Sequence, residues 1–489
     1  MVSLKKEFLL VFVALSLSLV GSTQVLAEIG SGKVSAKSSD IDISIFGHLK
    51  VFPHFISDPD FNDDDTPYDF LLSEAGTLDN DTVSVAHEFR LGFLGKGNNW
   101  SFMSILESNF VFDKNNTDRG ARAGEPLDSG MTGEDFGIEK LEFTYNFSDY
   151  GFPVTLETGW NTKHLDWETG ALCYLDDHPY VGLKGNFNDI SWELLSAFVY
   201  DNPGTSPVGS DDADALDWEI YTLKFSMPVA TMKVAPFYAY SDNQARESKV
   251  SYFGIETYGK IGILSPKAEI VYATGDRDDL PVGGGDIEDA DVEAFAAFGY
   301  LEANLEPSIN PYLGGYYIQG DNDASDDDIE AFNAITNAAQ YTHTFGMTNG
   351  FMYQYVPVIG THIYSNSPSM LGKNSGYGGI SNSASAESPG MYSFGLGCKG
   401  AVGDLTYKTQ LQKIYLEETG ALEEVTGVSD IDDVLGWQYD LLLTYQFSDH
   451  FSIGNCISIF EPGDAVEDLR GDDYDETAIM DTIEMKWKF

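Results

Sequence analysis

The sequence predicts an all-β fold: a single transmembrane, antiparallel, up-and-down β-barrel of about 18 strands, with about 16 as the alternative count. Three observations predict it. An export segment opens the chain, and no later window is apolar for long enough to make a membrane helix. Two-faced runs of period two then alternate with connections that are short, then long, then short. Finally, Ala478 to Phe489 (AIMDTIEMKWKF) places Ile479, Asp481, Ile483, Met485, Trp487 and Phe489 on one parity and Thr482, Glu484, Lys486 and Lys488 on the other. An exported chain without helices crosses a bilayer as strands, and a closed barrel alone leaves no strand edge unpaired in lipid.

Taken in order, Lys5 and Lys6 precede the apolar run Phe8 to Val20, and Val25-Leu26-Ala27 supplies small residues for cleavage after Ala27. Residues 1–27 are therefore read as a signal peptide, 28–40 as a short periplasmic segment and 41–489 as the barrel. Glu28 at the first mature position, in place of Cys, argues against a lipoprotein. No linker or composition break divides the rest. The 27 Tyr, 31 Phe and 49 Gly against 18 Pro suit a large antiparallel β-protein, and the 43% hydrophobic content is modest because only alternate residues meet lipid. Three cysteines, Cys173, Cys398 and Cys456, make no disulfide framework and no CxxC.

The strand rhythm begins at Ile41 to Ile56, where Ile41, Ile43, Ile45, Leu49 and Val51 oppose Asp42, Ser44, His48 and Lys50. Thr82 to Leu94 sets Val83, Val85, Phe89, Leu91 and Phe93 against Glu88, Arg90 and Gly92, then turns through Gly95 to Asn99 into Trp100 to Phe112. Hairpins follow: 138–147 with 154–161, 180–187 with 190–200, 218–227 with 232–240, 250–261 with 267–274, 292–305 with 310–319, 391–402 with 405–416, and 434–447 with 451–460. In Val434 to Phe447 the shared face of Trp437, Tyr439, Leu441, Leu443, Tyr445 and Phe447 has aromatics near both ends, as interfacial girdles require. A soluble sandwich or propeller is the bland alternative.

The terminal Phe489 with Trp487 inside it resembles the closing signature of bacterial outer-membrane barrels. Two connections, Tyr272-Ala273-Thr274-Gly275-Asp276 and Tyr317-Ile318-Gln319-Gly320-Asp321, the second running on through acids to Phe332, resemble those of 18-stranded alginate-export barrels and, more loosely, of substrate-specific porins. The resemblance implies a transport channel of the outer membrane. Alginate-export barrels carry a strongly basic conduit, whereas this chain has 27 basic against 78 acidic residues.

By parity, Glu88, Arg90, Glu107, Glu142, Glu157, Glu193, Lys224, Lys233, Lys399, Lys408, Asp440 and Glu484 are assigned to the lumen. Charged rings in a narrow wet pore set ion preference; alternatively these groups pair and fill the lumen. A net charge of −51 favours cations and disfavours nucleic acid. Asp276 and Asp278 crowd one predicted loop, and Asp321, Asp323, Asp326, Asp327 and Asp328 another; they offer hard oxygen ligands to divalent cations or make a solvated acidic face. His164, Asp166, Asp176, Asp177 and His178 share a predicted loop as a weaker metal candidate. Asp321 to Pro389 is the longest connection, and part of it is expected to fold into the barrel and narrow it, or else to add a hairpin. No GxSxG, HExxH or Walker loop is present. The expectation is a non-enzymatic porin, without cofactor, in outer-membrane lipid, passing small hydrophilic solutes or cations, with a homotrimer plausible. Polysaccharide export and a sheath for an electron-transfer partner are the other readings.

Overall fold

Two-faced strands can bury their polar side only by curling around it, and the computed structural model shows that closure. It describes residues 34–37, 41–58, 61, 82–111, 136–200, 217–244, 247–281, 287–323, 326–337, 344–346 and 389–489. The expected signal peptide lies outside them. The strands are β1 (Val34–Lys37), β2 (Asp42–Ser57), β3 (Thr82–Lys96), β4 (Trp100–Val111), β5 (Phe136–Asn146), β6 (Val154–His164), β7 (Tyr174–Phe187), β8 (Ile190–Tyr200), β9 (Trp218–Val229), β10 (Met232–Asn243), β11 (Ser248–Gly259), β12 (Leu264–Pro281), β13 (Ile287–Ala303) and β14 (Asn310–Ile318). After the short β15 (Asp328–Ile329) and β16 (Thr336–Asn337) come β17 (Met391–Val402), β18 (Leu405–Tyr415), helix α1 (Gly420–Thr426), β19 (Val434–Ser448), β20 (Phe451–Pro462), helix α2 (Asp464–Arg470) and β21 (Ala478–Lys488).

Strands β2–β14 and β17–β21 pair antiparallel in sequence, β14 joins β17, and β21 returns to β2, which closes an 18-stranded transmembrane barrel. Among the described residues the connection after β14 adds no spanning hairpin. The apolar parity faces out: Ile43, Phe102, Leu194, Phe253, Ile270, Leu313 and Leu396 are all exposed, as a lipid-facing band must be. At the short-turn rim Phe447, Phe451 and Trp487 stack at 5.3 and 5.0 Å. At the loop rim Tyr392 stacks on Tyr415 at 4.6 Å, and Tyr317 donates to Glu417 at 2.6 Å. Aromatics thus ring both ends of the apolar band.

The strand ends depart from expectation where hairpins rise above the membrane. β12 has 18 residues and β13 has 17, where about 9–11 span the bilayer. Asp276 and Asp278 therefore lie within β12, Asp276 opposite Asp291, rather than in a loop. Likewise, His164 ends β6 and Asp176 to His178 lie in β7, which leaves Asp166 as the loop member of that group.

Closure is anchored at the carboxy-terminus. The Phe489 N–H donates to the Gly47 carbonyl and the Gly47 N–H to the Phe489 carbonyl, each at 3.0 Å. Gly47 is required there, because a Cβ would stand 2.3 Å from the Arg90 carbonyl and 2.6 Å from the Phe489 ring. Just beyond, β1 pairs with the first residues of β2 and continues the edge that β21 leaves. An unpaired backbone group in lipid costs several kcal/mol. Deleting Phe489 is therefore expected to lower the folded, heat-modifiable fraction on gels at least about tenfold, the equivalent of about 1.4 kcal/mol.

Candidate functional site

The interior parity of the barrel carries the polar chemistry, and two stretches of the chain's own loops enter it. Between β6 and β7, Leu165 to Cys173 turns inward: Asp166, Thr169, Ala171, Leu172 and Cys173 are fully buried. Asp166 shapes this loop by accepting the backbone N–H groups of Cys173 at 2.5 Å and Tyr174 at 3.4 Å. The loop tip then meets the wall. Thr169 Oγ1 donates to Glu256 at 3.0 Å and to Glu269 at 2.6 Å, and the Gly170 N–H donates to Glu269 at 2.8 Å. Lys224 Nζ donates to the Leu165 carbonyl and pairs with Glu256 at 2.5 Å.

The second stretch follows β14. β15 pairs parallel with β13, and β16 pairs parallel with β7, six strands away around the barrel. Residues between them, with Phe332 and Ile335 fully buried, thus run as a chord across the cylinder. The Phe332 N–H donates to the Gln319 carbonyl at 2.9 Å, Tyr252 Oη to the Asn333 carbonyl at 2.9 Å, and the Ile335 N–H to the Cys173 carbonyl at 2.9 Å. Further on, Phe345 is fully buried against Tyr312 and Tyr316, at ring distances of 6.3 and 6.0 Å. Tyr316 Oη donates to the Phe345 carbonyl at 2.6 Å, Lys408 Nζ to the Gly346 carbonyl, and Thr344 Oγ1 to the Thr169 carbonyl. The two inserts therefore touch each other and narrow the lumen. The second insert comes from the longest connection, of which residues 326–337 and 344–346 are the parts seen inside the barrel; most of the remainder of that connection lies outside the described residues.

The twelve candidates from parity fall into separate networks. Arg90 bonds Glu107, lies 3.4 Å from Glu88 and 3.0 Å from Glu139, while Lys50 (2.8 Å) and His48 also reach Glu88. Glu142 accepts from Tyr180 Oη, from Asn161 at 2.8 Å and from Lys163 at 3.4 Å. Lys163 and Lys184 both pair with Glu157, and Glu193 stands opposite Lys184 and Lys224. Lys233 lies 5.7 Å from the Tyr258 ring centre, and Lys399 pairs with Glu302 at 2.7 Å. Asp440 is fully buried under Gln438 (2.8 Å) and Ser458 (2.5 Å); Glu484 stands opposite Gly454. The walls thus alternate in sign and are mostly paired.

Parity did not supply every member. Glu256, Glu269, Lys267 and Glu302 share the interior face of β11–β13, and the alternation of those strands signals them. Glu139 was hidden by a register shift between Ile105 and Leu106. Asp166, Thr169 and Phe345 lie in loops, where no periodicity marks them.

The acidic connection does not gather into one site. Asp323, Asp326, Asp327 and Asp328 are exposed, and among the described residues no cluster of three or more His, Cys, Asp and Glu is arranged to hold a metal ion. Asp321 is buried and accepts the N–H groups of Asp323 and Glu330, each at 3.0 Å, which fixes the start of the chord. Burial, reinforced by Asp326 and Glu330 nearby, pushes its carboxyl up to about 6 against the pull of those two amides. A carboxyl raised on folding stabilises below its ordinary range and loses that contribution as pH rises through about 6. The chord is therefore expected to be held more tightly at about pH 5 than at about pH 7.5. Conductance should rise across that interval in the native chain and stay flat in Asp321→Asn.

An occluded, charge-lined cylinder invites comparison with solved channels. OccK8 (OprE) of Pseudomonas aeruginosa superposes with a TM-score of 0.50 at 10% identity, covering 91% of this chain and 98% of that one. OpdK of the same organism, solved with vanillate, gives 0.51 at 8% identity with the same coverages. The barrel shares their fold. Both are outer-membrane porins. No protein-family model matches the chain, and no curated protein matches its sequence.

Proposed function

We propose that the chain is an outer-membrane porin: a water-filled channel through which small hydrophilic solutes diffuse, with a preference for cations. The observation that carries this reading is a closed cylinder, apolar outside and charged within, narrowed from its loop side inward by two loop inserts held by hydrogen bonds. Side-chain and peptide hydrogen bonds in a wet lumen are individually worth about 0.5–1.5 kcal/mol, so the inserts narrow the path without sealing it permanently. A cavity of about 320 Å³ beside Thr406, Lys408 and Leu442 gives the channel a vestibule on the short-turn side.

The cation preference rests on Asp166, Glu256 and Glu269, three buried carboxyls gathered where the inserts meet the wall, with Lys224 and Lys267 as the neighbouring ammonium groups. Export of an acidic polymer is disfavoured by the same walls, where lysines and Arg90 are met by carboxylates. A sheath role is disfavoured because the chain's own inserts occupy the space a partner would need. Planar-bilayer recording in a salt gradient tests the reading. Discrete ohmic steps with a reversal potential displaced toward the cation value are expected. The absence of steps would end the channel reading, and displacement toward the anion value would end the cation preference.

A further inference from the structure

Between the aromatic girdles, the outward face of β19–β21 and β2 is apolar except at one place. Leu441, Ile457, Asp481 and Phe55 lie on one line of cross-strand register, all on the lipid-facing parity. Below that line, Phe451 pairs with Trp487 in the short-turn girdle; above it, Trp437 pairs with Glu461 near the loop rim. Asp481 thus lies well inside the apolar band. Its neighbour Asn455, opposite Ile483 on the same outward face, donates to the Asp481 carboxylate, with a second, longer approach of 3.5 Å to the Thr482 carbonyl. That is the hydrogen bond the carboxylate receives among the described residues, whereas an ionised carboxylate offers about four acceptor positions.

Lipid tails supply no donor, and an ionisable group facing them is costly unless something polar covers it. The wall on the other side of the cylinder shows no such need: Leu194, Phe225, Phe253, Ile255 and Ile270 face out. What covers the pair is indicated by its composition. An amide donor and a carboxylate acceptor lie side by side, so the patch is complementary to itself. A twofold axis along the membrane normal places the amide of one copy on the carboxylate of the other, twice over, in the isologous manner of most dimers. Ile457, Ile479, Ile483 and Phe55 surround the pair with apolar surface that matches itself equally well.

We infer that a second copy of this chain seats on this face, with Asn455 and Asp481 hydrogen-bonded across the contact. The contact also covers the line where β21 meets β2, the seam between the first and last barrel strands.

Mass measurement of the purified full barrel in mild detergent, combined with cross-linking in its native membrane, tests this. The native chain should run as a two-chain particle. Asn455→Leu/Asp481→Leu should run as one chain while keeping its heat-modifiable gel shift, since leucines suit a lipid-facing wall. In a Cys398→Ser background, oxidation should join Ile483→Cys to its copy and leave Ile255→Cys, on the far wall, unjoined. A one-chain native particle, a dimer that survives the double leucine substitution, or a failure of Ile483→Cys to join its copy would each overturn the contact. A pair that merely tolerates lipid would leave the particle mass the same with and without the leucines.

Discussion

Deleting Thr342 to Ser385 raises single-channel conductance on the order of threefold or more, because an eighteen-stranded cylinder without an insert leaves an open aqueous lumen. The deletion removes Thr344, Phe345 and Gly346, and with them the bonds to Thr169, Tyr316 and Lys408. Among the described residues the barrel strands lose no ladder partner, so the gel shift of the folded form should persist. The chord through Phe332 and Ile335 remains, as does the Leu165–Cys173 loop, and conductance should therefore stay below that of an empty cylinder. An unchanged value would show that these three residues do not govern the narrow level.

The second large effect belongs to Lys224. Its ammonium bonds the loop at the Leu165 carbonyl and the wall at Glu256, which is fully buried. Lys224→Met leaves Glu256 with the Thr169 hydroxyl and with Glu269 and Asp166 as neighbours. Removing one partner of a buried pair costs about 3–5 kcal/mol, most of it the penalty on the charge left behind. The loop between β6 and β7 should detach, seen as a fall in thermal midpoint and as noisy, enlarged openings. Adding Glu256→Gln should restore most of the loss, because a neutral amide can stay buried beside Thr169. If the double variant were as unstable as the single one, the ion pair would not be what holds the loop.

How much of this was legible in the sequence follows from the physics of each feature. The eighteen spanning strands were readable one by one, since a strand with one face in lipid and one in water must alternate. Their ends were less so: β12 and β13 keep pairing beyond the membrane, where alternation no longer separates lipid from water, and so Asp276 and Asp278 read as loop residues. The short-turn rim was clear from its Gly, Asn and Asp turns. The lumen was half legible. Parity placed Lys224, Lys408 and Asp440 on the interior face but gave no hint of which wall each would meet, because that depends on inserts whose residues carry no period. Thr169 and Phe345 are ordinary loop residues until the closed sheet brings Glu269 and Tyr316 to them. Glu139 shows a further limit, since a single bulge shifts the phase of everything on one side of it.

The central claim is a sealed cylinder whose inward side chains meet water and whose outward ones meet lipid. Cysteine scanning of β19 and β20 in a chain lacking Cys173, Cys398 and Cys456 measures that directly, with a charged thiol reagent applied to the reconstituted protein from the short-turn side. Strict alternation is predicted: Thr444→Cys and Ser452→Cys react, while Leu443→Cys and Ile453→Cys between them do not. Equal reactivity along both strands, or reaction at the outward positions alone, would contradict it.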